Sequence, residues 1–299
     1  MKLGFIGFGV AAYGLSKGLK EAGVEGICFF DSNYRNPLFQ EVFEKRIAET
    51  GAAPSGSLGE LIGNTDVVLS CVTGSVSVSV AKEASEFLSK NHIYIDVNSA
   101  SPMVKKDVYE AIEKTGAGFV DGAIMGPVPA FLHQVPIFVS GDGADRFREM
   151  MAPYGMQITC IGSNPGDASA LKMLRSIFMK GIAALLMEML PAARHFGSWE
   201  MVVDSIAKTI ESRSFLETVR TIFPKALVGA ERMSNEMNDV VETLNDAGFP
   251  SELTQAVRNK LLWCSDLQLM ERFKGQIPES IEEAIEALNE CATETGNCR

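Results

Sequence analysis

The sequence predicts an α/β protein in which a Rossmann-type, doubly wound parallel sheet is followed by an all-α domain. In the first half, short apolar runs alternate with amphipathic stretches, which is the pattern of a parallel sheet with helices on both faces. The predicted strands are 2–6, 26–30, 66–72, 93–97, 118–121 and 135–140, with helices between them such as 37–50, 76–90 and 102–115. Beyond the turn-forming segment 163–166, the predicted elements are all helices: 167–195, 199–212, 214–221, 224–245, 250–271 and 278–292. We therefore expect a sheet domain over residues 1–163 and a helical domain over 164–299.

The first predicted strand runs directly into the motif Gly7-x-Gly9-x-x-Ala12, and a helical pattern follows it. Gly7 permits a tight turn, Gly9 lets a pyrophosphate approach the backbone, and Ala12 lets the helix pack closely on the strand. The first N–H groups of such a helix bind phosphates. Because any glycine-rich turn between strand and helix looks similar, the assignment also depends on the second strand. The expected dinucleotide-binding turn consists of Gly7, Phe8, Gly9, Val10 and Ala11.

The second predicted strand ends at Asp31, about 20 residues beyond the glycine motif, where an acid accepts a hydrogen bond from the ribose 2′-OH. A carboxylate there repels a 2′-phosphate and favours NAD, whereas Arg35 can pair with that phosphate and favours NADP. We expect NAD or NADP, with NAD favoured. The alternative is that Asp31 only terminates the strand as a turn residue.

Ligands of doubly wound sheets bind beyond the carboxyl ends of the strands. Strand 66–72 is almost wholly apolar, as a central strand that is buried on both faces should be. We therefore expect the residues that follow the strands at 66–72 and 93–97 to form walls of the ligand site. These residues are Val72 and Thr73 after the first strand, and Asn98 and Ser99 after the second.

Lys172 lies near the start of the long, largely apolar helix predicted over 167–195. An amine in apolar surroundings is costly to keep charged, so we expect a lowered pKa. Such a lysine can take a proton from a hydroxyl and return it. The alternative is a lysine whose amine extends from the end of the helix into solvent.

Four segments resemble, in order, motifs of the β-hydroxyacid dehydrogenase family, which includes the 3-hydroxyisobutyrate, tartronate-semialdehyde and 6-phosphogluconate dehydrogenases. Residues 7–12 resemble its cofactor loop, 96–102 its substrate loop, 121–127 its glycine-rich substrate turn, and 166–172 the helix start that carries its catalytic lysine.

This resemblance implies that Lys172 removes the proton of a substrate hydroxyl while hydride passes to the nicotinamide, or the reverse for a carbonyl acid. It also implies that groups around Asn98, Ser99 and Gly126 bind the substrate carboxylate. The partner it implies is a small-molecule acid.

The sequence departs from the family pattern at several of these positions. Met125 and Pro127 stand where the family usually has serine or glycine, and Ser176 replaces an asparagine one turn after the lysine. Ser176 can still bind a substrate, although it reaches less far. Its neighbour Arg175 can pair with an anion or lie on the solvated face. These changes resemble a phosphogluconate-dehydrogenase-like branch, as does the segment 231–237.

Two other functions are compatible with a dinucleotide fold. One is a regulator that binds NAD(P) without turnover, against which Lys172 argues. The other is an imine-reducing relative that acts on C=N bonds. Such relatives commonly lack the lysine.

Composition limits the remaining functions. The net charge of −11 makes a nucleic-acid surface unexpected. Because charges interrupt each apolar run, we expect no membrane span and a buried helix over 177–190. The first strand starts at residue 2, so we expect no signal peptide and a cytoplasmic location.

The 6 cysteines form no CxxC pair and the 3 histidines show no metal-ligand spacing, so we expect no metal. The long apolar helix predicts a homodimer.

Overall fold

A computed structural model describes residues 1–294 of the chain. Its residues form two compact units, one spanning Met1–Ile177 and the other beginning at Phe178. The division lies inside one long helix, whereas the sequence placed the domain boundary at residues 163–164, just before that helix. Cys298 lies outside the described residues.

The first unit contains the parallel sheet that the sequence predicts. Within the described residues it has 8 strands, in the order β3-β2-β1-β4-β5-β6-β7-β8, and all neighbours are parallel except β6 and β7. The strands are β1 Leu3–Ile6, β2 Ile27–Phe30, β3 Ala53–Pro54, β4 Val67–Ser70, β5 Ile93–Asp96, β6 Gly118–Ile124, β7 Ile137–Ser140 and β8 Ile158–Gly162. The predicted fold class is confirmed. Strands β3 and β8 were not expected, because β3 is only two residues long and β8 lies at a half-exposed edge.

Helices connect these strands on both faces of the sheet. They are α1 Val10–Glu21, α2 Gln40–Thr50, α3 Leu58–Gly63, α4 Ser77–Ser85, α5 Pro102–Ile112, α6 Val128–Phe131, α7 Ala144–Met151 and α8 Asp167–His195. Local sequence sets several helix starts: the Ser57 hydroxyl accepts from the Glu60 N–H, and Ser101 accepts from the Val104 N–H. The predicted helix over 76–90 is present as α4, whose buried residues Ser77, Ala81 and Ala84 have helical spacing.

The core has two layers, one on each face of the sheet. Along β4, Val67 and Leu69 belong to one layer and Val68 to the other. This alternation follows from the two-residue period of a strand. It explains why the central strands read as continuous apolar runs.

The second unit is helical. It contains the rest of α8 and α9 Trp199–Glu211, α10 Phe215–Val228, α11 Ala230–Asp246, α12 Glu252–Asp266, α13 Leu269–Arg272 and α14 Ile281–Glu294. The predicted break between helices 214–221 and 224–245 was wrong, because α10 continues through Pro224 and stops at Gly229. Helix α8 contains Pro191 and ends at His195, as the sequence predicts. Pro224 is buried together with Thr218 and Leu227, so packing outweighs the lost hydrogen bond.

Helix α8 is not the buried helix that the sequence predicts. Only 11% of its most apolar 18-residue window is buried, and Ile177 and Met187 are 72% and 75% exposed. With 29 residues and a mean hydropathy of 1.4 in that window, α8 is long and apolar enough to cross a membrane. Core helices of soluble proteins pass the same test of length and composition, but they are mostly buried. Amphipathic spacing showed that α8 has apolar residues, but not which surface covers them.

Candidate active site

The turn between β1 and α1 has the geometry that a bound pyrophosphate requires. Gly7 has a φ of +81°, and a Cβ added there would lie 2.8 Å from the carbonyl oxygen of Cys71. A Cβ added at Gly9 would meet no atom within 4 Å, so this side of the turn is open. In the described residues, no side chain caps α1. The N–H groups at its start therefore remain available to an anion.

Asp31 stabilises the turn between β1 and α1 by accepting backbone hydrogen bonds. One carboxylate oxygen accepts from the Phe8 N–H at 2.8 Å, and the other accepts from the Asn33 N–H at 2.8 Å. Because a carboxylate offers about four acceptor positions, it retains capacity for ribose hydroxyls. The Phe8 ring is buried and stacks on Phe29, so Phe8 contributes to the turn through its backbone.

A cavity of about 440 Å³ lies beside the turn. It gathers five residues that the sequence assigned to the cofactor: Gly7, Gly9, Asp31, Val72 and Thr73. Val10, Ala11 and Arg35 are not among its lining residues, and Arg35 is exposed.

Glu83 also lines this cavity, and sequence reasoning missed it. The signal was its spacing, because Val76, Val80 and Glu83 recur at the period of a helix face. Cys71 lies on the wall as well, and burial raises the pKa of its thiol. The thiol is therefore neutral at physiological pH and is not a nucleophile.

A row of polar residues crosses the sheet, and its first member, Ser70, directly precedes Cys71 of the cavity wall. Ser70, Asp96, Asp121 and Ser140 occupy the same register on β4, β5, β6 and β7. All four side chains are fully buried. Such a row requires internal partners, because a buried carboxylate without one is strongly disfavoured.

Lys105 supplies the main partner. Its amine donates to a carboxylate oxygen of Asp96 at 2.5 Å and to the Asp96 carbonyl at 2.7 Å, and it lies 3.3 Å from Asp121. Sequence reasoning missed Lys105 as well. The available signal was its position with Val108 and Ile112 on the buried face of α5.

Asn98 belongs to the same network. Its amide donates to Asp96 at 2.9 Å and to the Ser70 hydroxyl at 3.0 Å. Its side-chain oxygen is buried and has no hydrogen-bond partner among the described residues. Ser99, the next residue, is exposed, and a Cβ at Gly74 would lie 2.4 Å from the Ser99 carbonyl oxygen. The loops after β4 and β5 are therefore in contact.

The start of α8 is tied to the polar row. The Ser169 N–H and hydroxyl donate to Asp121 at 2.9 and 2.7 Å, and the Ala168 N–H donates to the Ser140 hydroxyl at 3.1 Å. Lys172 lies three residues after Ser169, so the two share a helix face. Lys172 is half-buried. The hydrogen bonds of Ser169 to Asp121 therefore orient the helix face that carries Ser169 and Lys172 toward the sheet.

Two other predicted substrate residues are in this unit. The Ser176 hydroxyl donates to the Lys172 carbonyl at 2.9 Å, so it can only accept a hydrogen bond from a ligand. Gly126 is half-buried just after β6. Arg175 is exposed, which fits a position on the solvated face of α8.

Comparisons with known families agree with this arrangement. Residues 2–162, more than half of the chain, match the model of the NAD binding domain of 6-phosphogluconate dehydrogenase. Residues 193–263 match a domain of unknown function, DUF1932.

Known proteins resemble the chain in sequence and in three-dimensional structure. The mouse mitochondrial 3-hydroxyisobutyrate dehydrogenase is 28% identical over 191 residues, which are 60% of this chain and 55% of that enzyme. A conserved protein of unknown function, described as structurally similar to 3-hydroxyacid dehydrogenases, is 32% identical, with a TM-score of 0.59 over 90% of this chain and 99% of its own.

An imine reductase from Myxococcus stipitatus in complex with NADP⁺ superposes with a TM-score of 0.73, over 96% of this chain and 100% of that one. At 16% identity this likeness concerns the fold. The glycine turn, the acid at the end of β2 and the family match agree. The chain belongs to the 6-phosphogluconate-dehydrogenase-like β-hydroxyacid dehydrogenase family and is an NAD(P)-dependent oxidoreductase.

Proposed function

We propose that the protein transfers hydride between a nicotinamide cofactor and a β-hydroxyacid or the matching carbonyl acid, with Lys172 as the general acid/base. The observation that carries this proposal is the attachment of α8 to the sheet through Ser169 and Asp121. It fixes the start of the helix that carries Lys172 to the polar row, which begins at Ser70, one residue before Cys71 of the dinucleotide cavity. The cofactor, when bound, accepts or supplies the hydride.

The residues of the chain have distinct roles in this proposal. Lys172 takes the proton from the substrate hydroxyl during oxidation and returns it during reduction. The exposed Ser99 and the backbone at Gly126 bind the carboxylate, while Ser176 accepts from a substrate hydroxyl. Asn98, held by Asp96 and Ser70, fixes the loop that presents Ser99.

The proposal is tested by thermal stabilisation with NAD⁺, NADH, NADP⁺ and NADPH, followed by turnover assays with that cofactor. A ligand that binds only the folded state raises the melting temperature. We expect one cofactor pair to stabilise the protein and a β-hydroxyacid to reduce the oxidised form. Cofactor binding with no turnover over a broad panel would indicate a regulator instead. Faster turnover of C=N substrates would indicate an imine-reducing enzyme.

We propose NAD as the preferred cofactor, because the cavity contains two carboxylates, Asp31 and Glu83. Both repel a 2′-phosphate. The double substitution Asp31→Asn/Glu83→Gln is expected to lower the preference for NAD over NADP by about tenfold or more. The measurement is kcat/KM with each cofactor, and Glu86→Gln, at an exposed site just after α4, is the control. An unchanged ratio in the double variant would refute the argument.

We also propose a cytoplasmic homodimer that uses no membrane or nucleic-acid partner. The exposed apolar face of α8 suits a second copy, because a patch of this kind is rarely left in contact with water. Sedimentation is expected to give twice the chain mass of 32.4 kDa, and Leu186→Glu on α8 is expected to yield monomers. A wild-type monomer would contradict the proposal, and flotation with lipid vesicles would identify a membrane as the partner.

A further inference from the structure

A second cavity, of about 420 Å³, lies in the first unit between α1, α2 and α6. Its apolar walls are Val10, Tyr13, Val42, Pro129 and Leu132. Val10 and Val42 are 58% and 41% exposed, so a ligand would cover apolar surface that now faces water. None of these residues lines the dinucleotide cavity. The volume is within the range of small-molecule sites, about 300–1,000 Å³.

The charge of this cavity is opposite to that of the chain. The whole chain carries −11, yet the described lining residues include Lys17, Lys45 and Arg46 and no carboxylate. Glu49 lies nearby and pairs with Lys17 at 2.8 Å. Glu21 also acts electrostatically on Lys17. Three cations against these two carboxylates leave the cavity positively charged and suited to an anion.

The cavity is also preformed. A Cβ at Gly14 would lie 2.6 Å from a methyl carbon of Val128, so α1 and α6 are in close contact along one wall. Leu132 has a φ of +51°, a conformation that residues with a Cβ rarely adopt unless the surrounding structure imposes it. A preformed site loses little conformational freedom on binding.

The cavity is connected to the cofactor turn. The Arg46 guanidinium donates to the Phe8 carbonyl at 2.5 Å, and the Phe8 N–H donates to Asp31. An anion that draws Arg46 toward the cavity therefore acts on the turn that carries Gly7 and Gly9.

We infer that this cavity binds an apolar molecule with a single anionic head group, and that its occupancy alters the affinity of the cofactor turn for its dinucleotide. The carboxylate or phosphate of the ligand pairs with Lys45 and Arg46, and its hydrocarbon part lies against Val10, Val42 and Leu132. The binding part of this inference does not depend on the oxidoreductase reaction.

The probe is sodium decanoate below its micelle concentration, titrated by calorimetry into the intact protein with and without saturating cofactor. We expect saturable one-site binding, with decanol at least about tenfold weaker because it lacks the charge. Lys45→Gln and the cavity-filling Val42→Trp should each weaken binding by about tenfold, while Lys45→Arg retains it. Lys114→Gln, at an exposed lysine elsewhere on the first unit, is the matched control.

Three other results would contradict the proposed ligand site or its coupling to the cofactor turn. Absence of saturable binding, or equal binding to wild type and both cavity variants, would show that decanoate does not occupy this cavity. Loss of binding in Leu186→Gln instead would place the ligand on the apolar face of α8. Decanoate should change cofactor affinity at least about twofold in wild type but not in Lys45→Gln, since coupling between sites is reciprocal. An unchanged cofactor affinity would refute the coupling.

Discussion

Replacing Lys172 by alanine is expected to lower turnover by about 10²- to 10⁴-fold, the range that a positioned proton donor or acceptor contributes. Lys172 follows Ser169 on the helix face that Asp121 holds against the sheet. The alanine variant keeps that attachment, because Ser169 uses its own N–H and hydroxyl. The chain should therefore still fold and bind its cofactor.

The measurement is kcat/KM with the best β-hydroxyacid, together with the melting-temperature shift on adding cofactor. Lys172→Arg should be as inactive as the alanine variant, because a guanidinium stays charged and cannot accept the proton. Lys180→Ala, at an exposed lysine on the same helix, should leave turnover unchanged. Near-normal turnover of Lys172→Ala with normal cofactor binding would remove the acid/base role and favour another proton carrier.

The sequence predicted the parts of the fold that are determined by interactions between residues close together in the chain. The strand, Gly7 turn and helix are set by residues adjacent in the chain, and Asp31 follows from the length of one βαβ unit. The alternation of strands and helices predicted the sheet for the same reason. Pro224 shows the limit of local propensity, because α10 continues through it with Thr218, Pro224 and Leu227 buried.

The parts that sequence reasoning missed depend on contacts between distant segments, which local patterns indicate only weakly. Glu83 reaches the cofactor cavity only because α4 lies beside the carboxyl ends of β1 and β4. In the sequence, Lys105 is one of several charged residues on an amphipathic helix. Its partners in the structure, Asp96 and Asp121, lie on two different strands. Whether the exposed apolar residues of α8 are covered depends on contacts outside the single chain, which the spacing of residues along α8 does not show.

Lys105→Met is expected to destabilise the first unit by about 3–5 kcal/mol, the usual cost of removing one member of a buried ion pair. The amine of Lys105 is fully buried between Asp96 and Asp121. Methionine preserves most of the volume but leaves two carboxylates facing each other without a cation. Because Asp121 also holds Ser169, the loss should extend to the start of α8.

Hydrogen exchange of peptides from β4, β5 and β6 measures this effect where it occurs. Both tryptophans, Trp199 and Trp263, lie in the second unit, so their fluorescence serves as an internal control that should change less. Lys106→Met, at the exposed neighbouring lysine, should leave exchange unchanged. Adding Asp121→Asn to Lys105→Met removes one carboxylate and should recover part of the loss, since the repulsion between the two acids disappears. If amide hydrogens of Lys105→Met exchanged as slowly as those of Lys106→Met, the buried cation would not be required to stabilise the polar row. The hydrogen bonds of Asn98 and Ser169 would then be sufficient to hold the row.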